Sequence, residues 1–201
     1  MQTETNDHAL WQSFKAGDRT SFQTIYFSWF KNLTEYGMRI IGDKELVKDC
    51  IHDLFVKLWN NRSNLGDVVV IRSYLVVSLR STLLNKIQQN SRVAVSEFKD
   101  EHPFELVFSV ESDFISKETA DIQTQKLLDA LNELSPRQKE VIYLRYFEEM
   151  DYEEIAAIME ITVKATYKLT ARGLDCLRQI MDLSGTTLML LLALSTEILF
   201  S

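Results

Sequence analysis

The sequence predicts an all-α protein made of two small helical domains joined by an acidic linker. Three observations carry this. Apolar residues recur at helical spacing over two long stretches. Breakers are scarce, with six glycines and two prolines in 201 residues. Between the two stretches the periodicity gives way to a polar, acidic run. The apolar share of 46% and charged share of 25% are ordinary for a folded globular chain. The expected boundaries are 8–90 for the first domain, 91–117 for the linker, 118–182 for the second domain and 183–201 for an apolar tail.

In the first domain the pattern predicts helices over 8–16, 19–41, 43–61 and 71–89. Gly17-Asp18, Gly42-Asp43 and Asn64-Leu-Gly-Asp67 separate them, each combining a turn residue with a possible cap. Trp11, Phe14, Phe22, Tyr26, Phe27, Trp29, Phe30 and Tyr36 make this region rich in aromatics, most of them expected in the core. The third helix has two apolar sides. Val47, Cys50, Ile51, Leu54 and Leu58 form one, and His52, Phe55, Val56 and Trp59 lie on the other. Asp49, His52 and Asp53 remain as a polar edge.

The linker sets Glu97, Asp100, Glu101, Glu105, Glu111 and Asp113 against Arg92, Lys99 and Lys117, and carries Pro103. Its phenylalanines, among them Phe98, Phe104, Phe108 and Phe114, suit intermittent docking. In the second domain Ser135-Pro136 with Gln138 reads as a capping box that starts a helix. A short helix over Tyr152–Met159 is followed by the turn Glu160-Ile-Thr162 and a longer helix from about Val163 to Met181. This is the spacing of a helix-turn-helix. If the turn needs a left-handed residue at Glu160, the strain is roughly 1–2 kcal/mol.

The longer helix places Lys164, Lys168 and Arg172 in one sector, at i, i+4 and i+8. Ala165, Leu169, Cys176 and Leu177 are expected on its packed side. A basic edge on an apolar-backed helix is what phosphate contact requires, although basic stripes are also common on solvated helix faces. Thr162, Thr166, Tyr167 and Thr170 could add hydrogen bonds to phosphates or base edges. The net charge of −7 means that any DNA-binding charge is local, and that a larger partner would help hold the protein on DNA.

At this point the sequence resembles the sigma-70 family of RNA polymerase subunits. Gly42-Asp43 followed by Asp49-Cys-Ile-His-Asp-Leu-Phe-Val-Lys-Leu-Trp59 is similar to its region two. Tyr74-Leu-Val-Val-Ser-Leu-Arg-Ser-Thr-Leu-Leu-Asn85 resembles the promoter-melting helix. Leu131 to Arg178 resembles region four, through Leu134-Ser-Pro136, Glu140-Val141, Glu154-Ile-Ala156 and Ile161-Thr162. The compact length resembles the extracytoplasmic-function group. His52, Ser81, Met150, Glu160 and Ala165 stand where other residues are common in the family.

The resemblance implies a sigma factor that binds core RNA polymerase and directs initiation at particular promoters, controlled by an anti-sigma factor. It implies that Asp49, His52, Asp53 and Phe55 meet the polymerase, and that Arg72, Arg80, Ser81, Asn85 and Lys86 meet the melted minus-ten element. Thr162, Lys164, Thr166, Tyr167, Lys168 and Arg172 would meet the minus-thirty-five duplex. The acidic linker would run through the basic RNA channel of the polymerase.

The alternative is a helix-turn-helix regulator that does not act as a sigma subunit. An enzyme is disfavoured, because neither a phosphate loop nor a nucleophile–base constellation is present in the sequence. No cofactor, metal or small-molecule substrate is expected. Cys50 and Cys176 read as small core residues, and the scattered His8, His52 and His102 lack metal-ligand spacing. The polar start lacks a signal-peptide pattern, which points to the cytoplasm. The tail is too short for a bilayer span of about 20 residues, and its apolar character suits either a short helix packed on the second domain or the linker, or contact with a regulator.

Overall fold

The structure is a computed structural model and describes residues 2–68, 70–90, 103–106 and 126–181. Every regular element among these residues is helical. The chain divides into two compact units, 1–98 and 99–201. The 183–201 tail and most of the 91–117 linker lie outside the described residues.

The first unit holds α1 (Gln2–Lys15), α2 (Arg19–Ile40), α3 (Lys44–Asn61), a 3₁₀ turn (Arg62–Asn64) and α4 (Ile71–Asn90). Caps set the starts. Asp18 accepts from the Ser21 N–H at 2.8 Å and from the Ser21 hydroxyl at 2.6 Å, and Asp43 accepts from the Glu45 and Leu46 N–H groups. Each such cap contributes about 1 kcal/mol. The Ser21 hydroxyl and backbone hold the Asp18 carboxyl below its usual range. Gly17, at φ +94°, makes the turn that delivers Asp18. The carboxylate of Asp7 on α1 accepts from the first N–H of α4, at Ile71, 3.2 Å away.

Helices α2, α3 and α4 pack mutually, with α1 across α2. Their shared core holds Leu33, Tyr36, Val47, Cys50, Ile51, Leu75, Leu79 and Leu83. At Gly37 the α2–α3 approach is too close for a side chain, since an added Cβ would lie 2.6 Å from Val47 Cγ1. Burial raises the Cys50 thiol pKa. Trp11 is enclosed and donates its indole N–H to the Gly66 carbonyl at 3.0 Å. Gln12 and Lys15 grip Asp67 beside it.

The expectation that most aromatics are core holds for Trp11, Phe14 and Tyr36 and fails along the outer side of α2. Phe22, Tyr26 and Phe30 are half-buried and Phe27 is 75% exposed. With Phe55, Val56 and Trp59 of α3, several of these line an open groove of about 540 Å3.

The described part of the second unit starts at 103–106, where Phe104 and Leu106 are buried and Phe104 packs its ring 5.8 Å from that of Tyr143. Beside them Glu105 reaches the nearly enclosed Lys139 at 3.6 Å. Helix α5 covers 126–132. Ser135 and Gln138 form both bonds of the capping box that opens α6 (Pro136–Ile142). A π-helical turn, Tyr143–Phe147, continues α6. Then come α7 (Tyr152–Met159) and α8 (Val163–Met181), with α8 packed on both α6 and α7.

Glu160 ends α7 at φ 54°, ψ 44°, in the left-handed region. The Ile161 N–H reaches the Ala156 carbonyl at 3.0 Å and the Glu160 N–H reaches Ala157 at 3.4 Å, a Schellman closure. Glycine suits that position better than glutamate does. Glu160→Gly is therefore expected to stabilise the second unit by about 1 kcal/mol. The gain should appear as a higher midpoint in urea unfolding followed by far-ultraviolet circular dichroism.

Candidate nucleic-acid interface

Helix α7 starts at a second capping box. Asp151 accepts from the Glu154 N–H at 2.7 Å, and the Glu154 carboxylate accepts from the Asp151 N–H at 2.9 Å. The acidic residues at this end also oppose the helix dipole favourably. The Thr162 Oγ1 accepts from the Ala165 N–H at 3.2 Å and caps α8. The turn between the helices is thus fixed at both ends by its own residues.

The buried stripe of α8 is Thr166, Thr170, Gly173 and Leu177. This corrects the packed face expected from the sequence, since Ala165, Leu169 and Cys176 are only half-buried. Threonine can be buried here because each hydroxyl finds a backbone acceptor four residues back. Thr166 donates to Thr162 O at 3.2 Å and Thr170 to Thr166 O at 3.0 Å. At Gly173 an added Cβ would stand 3.4 Å from Ile142 Cγ1, so α8 approaches α6 closely. Thr166 is accordingly removed from the set of surface residues.

At about 100° per residue, Lys164, Lys168 and Arg172 fall almost opposite this stripe. All three are exposed, as are Thr162 and Tyr167. Lys164 and Lys168 belong to the first turns of the helix. Near its end Asp175 joins the exposed face, paired with Arg178 at 3.3 Å. The basic edge therefore runs from Lys164 to Arg172 and is interrupted beyond it.

Sequence reasoning missed Tyr152 as a partner of this surface. Its ring stacks on that of Tyr167, with centroids 3.9 Å apart and planes at 30°. The Arg145 guanidinium stands 4.8 Å from the centre of Tyr152 and donates to the Met150 carbonyl at 2.7 Å. A pairing between two helices leaves no periodic trace in the sequence.

In the first unit Asp49, His52 and Asp53 are exposed on α3, and His52 stands at the rim of the aromatic groove. Phe55 is buried and T-stacked with Phe22 and Tyr26. It forms part of the floor of the groove. On α4 Ser81 and Asn85 share the exposed face. Arg72 and Lys86 are half-buried and turned away from them, and Arg80 is buried. Its burial sets Arg80 apart from the exposed Ser81 and Asn85 of the expected set. Among the described residues no cluster suited to holding a metal ion occurs, and no helix is long and apolar enough to cross a membrane.

The arrangement is a capped helix-turn-helix whose second helix exposes cations opposite its packed stripe, a geometry suited to duplex DNA. Residues 124–177 match the family described as Sigma-70, region 4. The chain is 25% identical over 142 residues to the RNA polymerase sigma factor YlaC of Bacillus subtilis (strain 168), covering 70% of this chain and 80% of that one. Its fold is similar to that of CnrH in a complex with the cytosolic domain of CnrY, at TM-score 0.57 and 18% identity over 88% of this chain and 97% of the other. It is also similar to the sigma factor RpoE in complex with the anti-sigma factor NepR from Bartonella quintana, at TM-score 0.57 and 18% identity over 81% and 98%. The family match takes in α6, α7 and most of α8, and the solved structures are alike in fold.

Each cation that neutralises a phosphate adds about 0.9 to the slope of log affinity against log salt. Replacing Lys164, Lys168 and Arg172 together by alanine is expected to lower that slope by about 3. Duplex binding across a salt titration measures it, and affinity should fall by a similar factor on every sequence.

Proposed function

We propose that this protein is a sigma factor of the extracytoplasmic-function kind, which joins core RNA polymerase and directs initiation at particular promoters. The observation that carries the reading is the basic edge of α8 in a domain that matches sigma-70 region 4. Lys164, Lys168, Arg172, Thr162 and Tyr167 would hold the upstream minus-thirty-five element as duplex. Phosphate contacts fix register, while contacts to base edges select sequence. Ser81 and Asn85 would meet the melted minus-ten strand, with the half-buried Arg72 and Lys86 contributing field more than direct contact. Hydrogen-bonding groups beside unstacked bases suit that task.

The exposed Asp49, His52 and Asp53 would dock on the polymerase. The net charge of −7 supports a division of labour in which polymerase supplies most of the affinity for DNA and this chain supplies the choice of site. An anti-sigma protein is the proposed regulator, since both solved structures of similar fold hold a second protein. The protein would act in the cytoplasm and without a catalytic role of its own. A regulator that does not join polymerase remains the second reading, because the family match falls on 124–177 alone.

Transcription from genomic fragments by core RNA polymerase, with and without this protein, tests the proposal. New transcripts are expected downstream of a shared two-part element. Asp49→Ala combined with Asp53→Ala should lower both transcript yield and core-polymerase retention by about tenfold, the effect of losing 1.4 kcal/mol at an interface. Unchanged retention and unchanged transcripts would transfer the reading to the regulator.

A further inference from the structure

Within the cationic edge of α8 lies a small apolar patch. Tyr167 is 51% exposed, and Ala171, one turn further on, is exposed beside it. Lys164 and Lys168 flank the same surface. An aromatic ring standing in solvent would ordinarily sample several rotamers. This one is held, because its ring stacks on Tyr152 at 3.9 Å. Tyr152 is in turn held by Arg145, whose guanidinium lies 4.8 Å from the ring centre and is anchored on the Met150 carbonyl at 2.7 Å. Arg145 belongs to the π-helical turn Tyr143–Phe147, a local departure from regular helix of the sort that often re-aims side chains at functional sites.

The major groove presents donors and acceptors at every base pair and one apolar projection, the C5 methyl of thymine. A fixed ring beside an alanine, with the exposed Lys164 and Lys168 along one side, complements that projection. We propose that Tyr167 and Ala171 read a thymine methyl in the upstream promoter duplex, with Tyr152 and Arg145 as positioning residues. This rests on the sigma-factor reading and assigns the base chemistry of its duplex-binding surface. The preset ring avoids the ordering penalty that a free side chain would incur on contact.

The test uses the complex of core polymerase, this protein and a promoter found by transcription. Each thymidine of the upstream element is replaced singly by deoxyuridine, which removes the methyl and leaves the hydrogen-bonding edge intact. The wild-type complex is expected to weaken about fourfold at one position, the value of one buried methyl group. Tyr167→Ala should lose that sensitivity and Tyr167→Phe should keep it. Tyr152→Ala should reduce it while leaving the salt slope unchanged, which a general loss of phosphate contacts would not do.

An upstream element without thymine, or a wild-type complex indifferent to every deoxyuridine, would overturn the inference. So would retained sensitivity in Tyr167→Ala, or Tyr167→Phe behaving like Tyr167→Ala, which would mark a contact made by the phenol hydroxyl. Failure to form any polymerase-dependent promoter complex would overturn the sigma-factor reading and this inference with it.

Discussion

The close approach of α8 to its supporting helices is the constraint on which the DNA-facing surface depends. Gly173 admits Ile142 of α6 to contact distance, and Thr166 and Thr170 satisfy their own hydroxyls within the helix. A stripe this narrow tolerates little rotation of α8 about its axis. It fixes Lys164, Lys168 and Arg172 on the outward side. The capping box of α7 and the left-handed Glu160 hold the other half of the motif in register. The strain at Glu160 is absorbed by the Schellman bonds around it and by the packing of Ile155, Ile158 and Met159.

The first unit depends on a similar contact between Gly37 and Val47, which brings α2 and α3 together. Towards the start of α2 and the end of α3, Phe22, Tyr26, Phe27, Val56 and Trp59 line the groove. The polar edge of Asp49, His52 and Asp53 runs beside that groove. The acidic balance of the chain resides in the second unit, where 99–201 carries ten Lys and Arg against nineteen Asp and Glu, so the positive edge of α8 is local to one helix face.

Much of the helical framework was legible in the sequence. The expected helices 19–41, 43–61 and 71–89 match α2, α3 and α4 to within a residue at either end, because Asp18 and Asp43 announce their starts. The Ser135 box was legible for the same reason. The Asp151–Glu154 box has the same spacing and went unread. Side-chain burial was harder to see. Thr166 looks polar in the sequence, and only the backbone acceptor at Thr162 makes it a core residue. The burial of Arg80 and Phe55 is hidden for a related reason: helical spacing gives a residue's angle and not how far the neighbouring helix extends over it. The stack of Tyr152 on Tyr167 joins two helices across a turn, and no one-dimensional pattern encodes that meeting.

In the proposed sigma factor, α8 presents Lys164 and Lys168 to promoter DNA while its opposite side is locked into the second unit. Lysine acylation read by mass spectrometry, on the free protein and on its complex with core polymerase and promoter, measures this directly. The account predicts that Lys164 and Lys168 react readily in the free protein and are protected in the complex, with Lys139, whose side chain is 8% exposed, slow in both. Equal reactivity of Lys164 and Lys168 in the two states would contradict it.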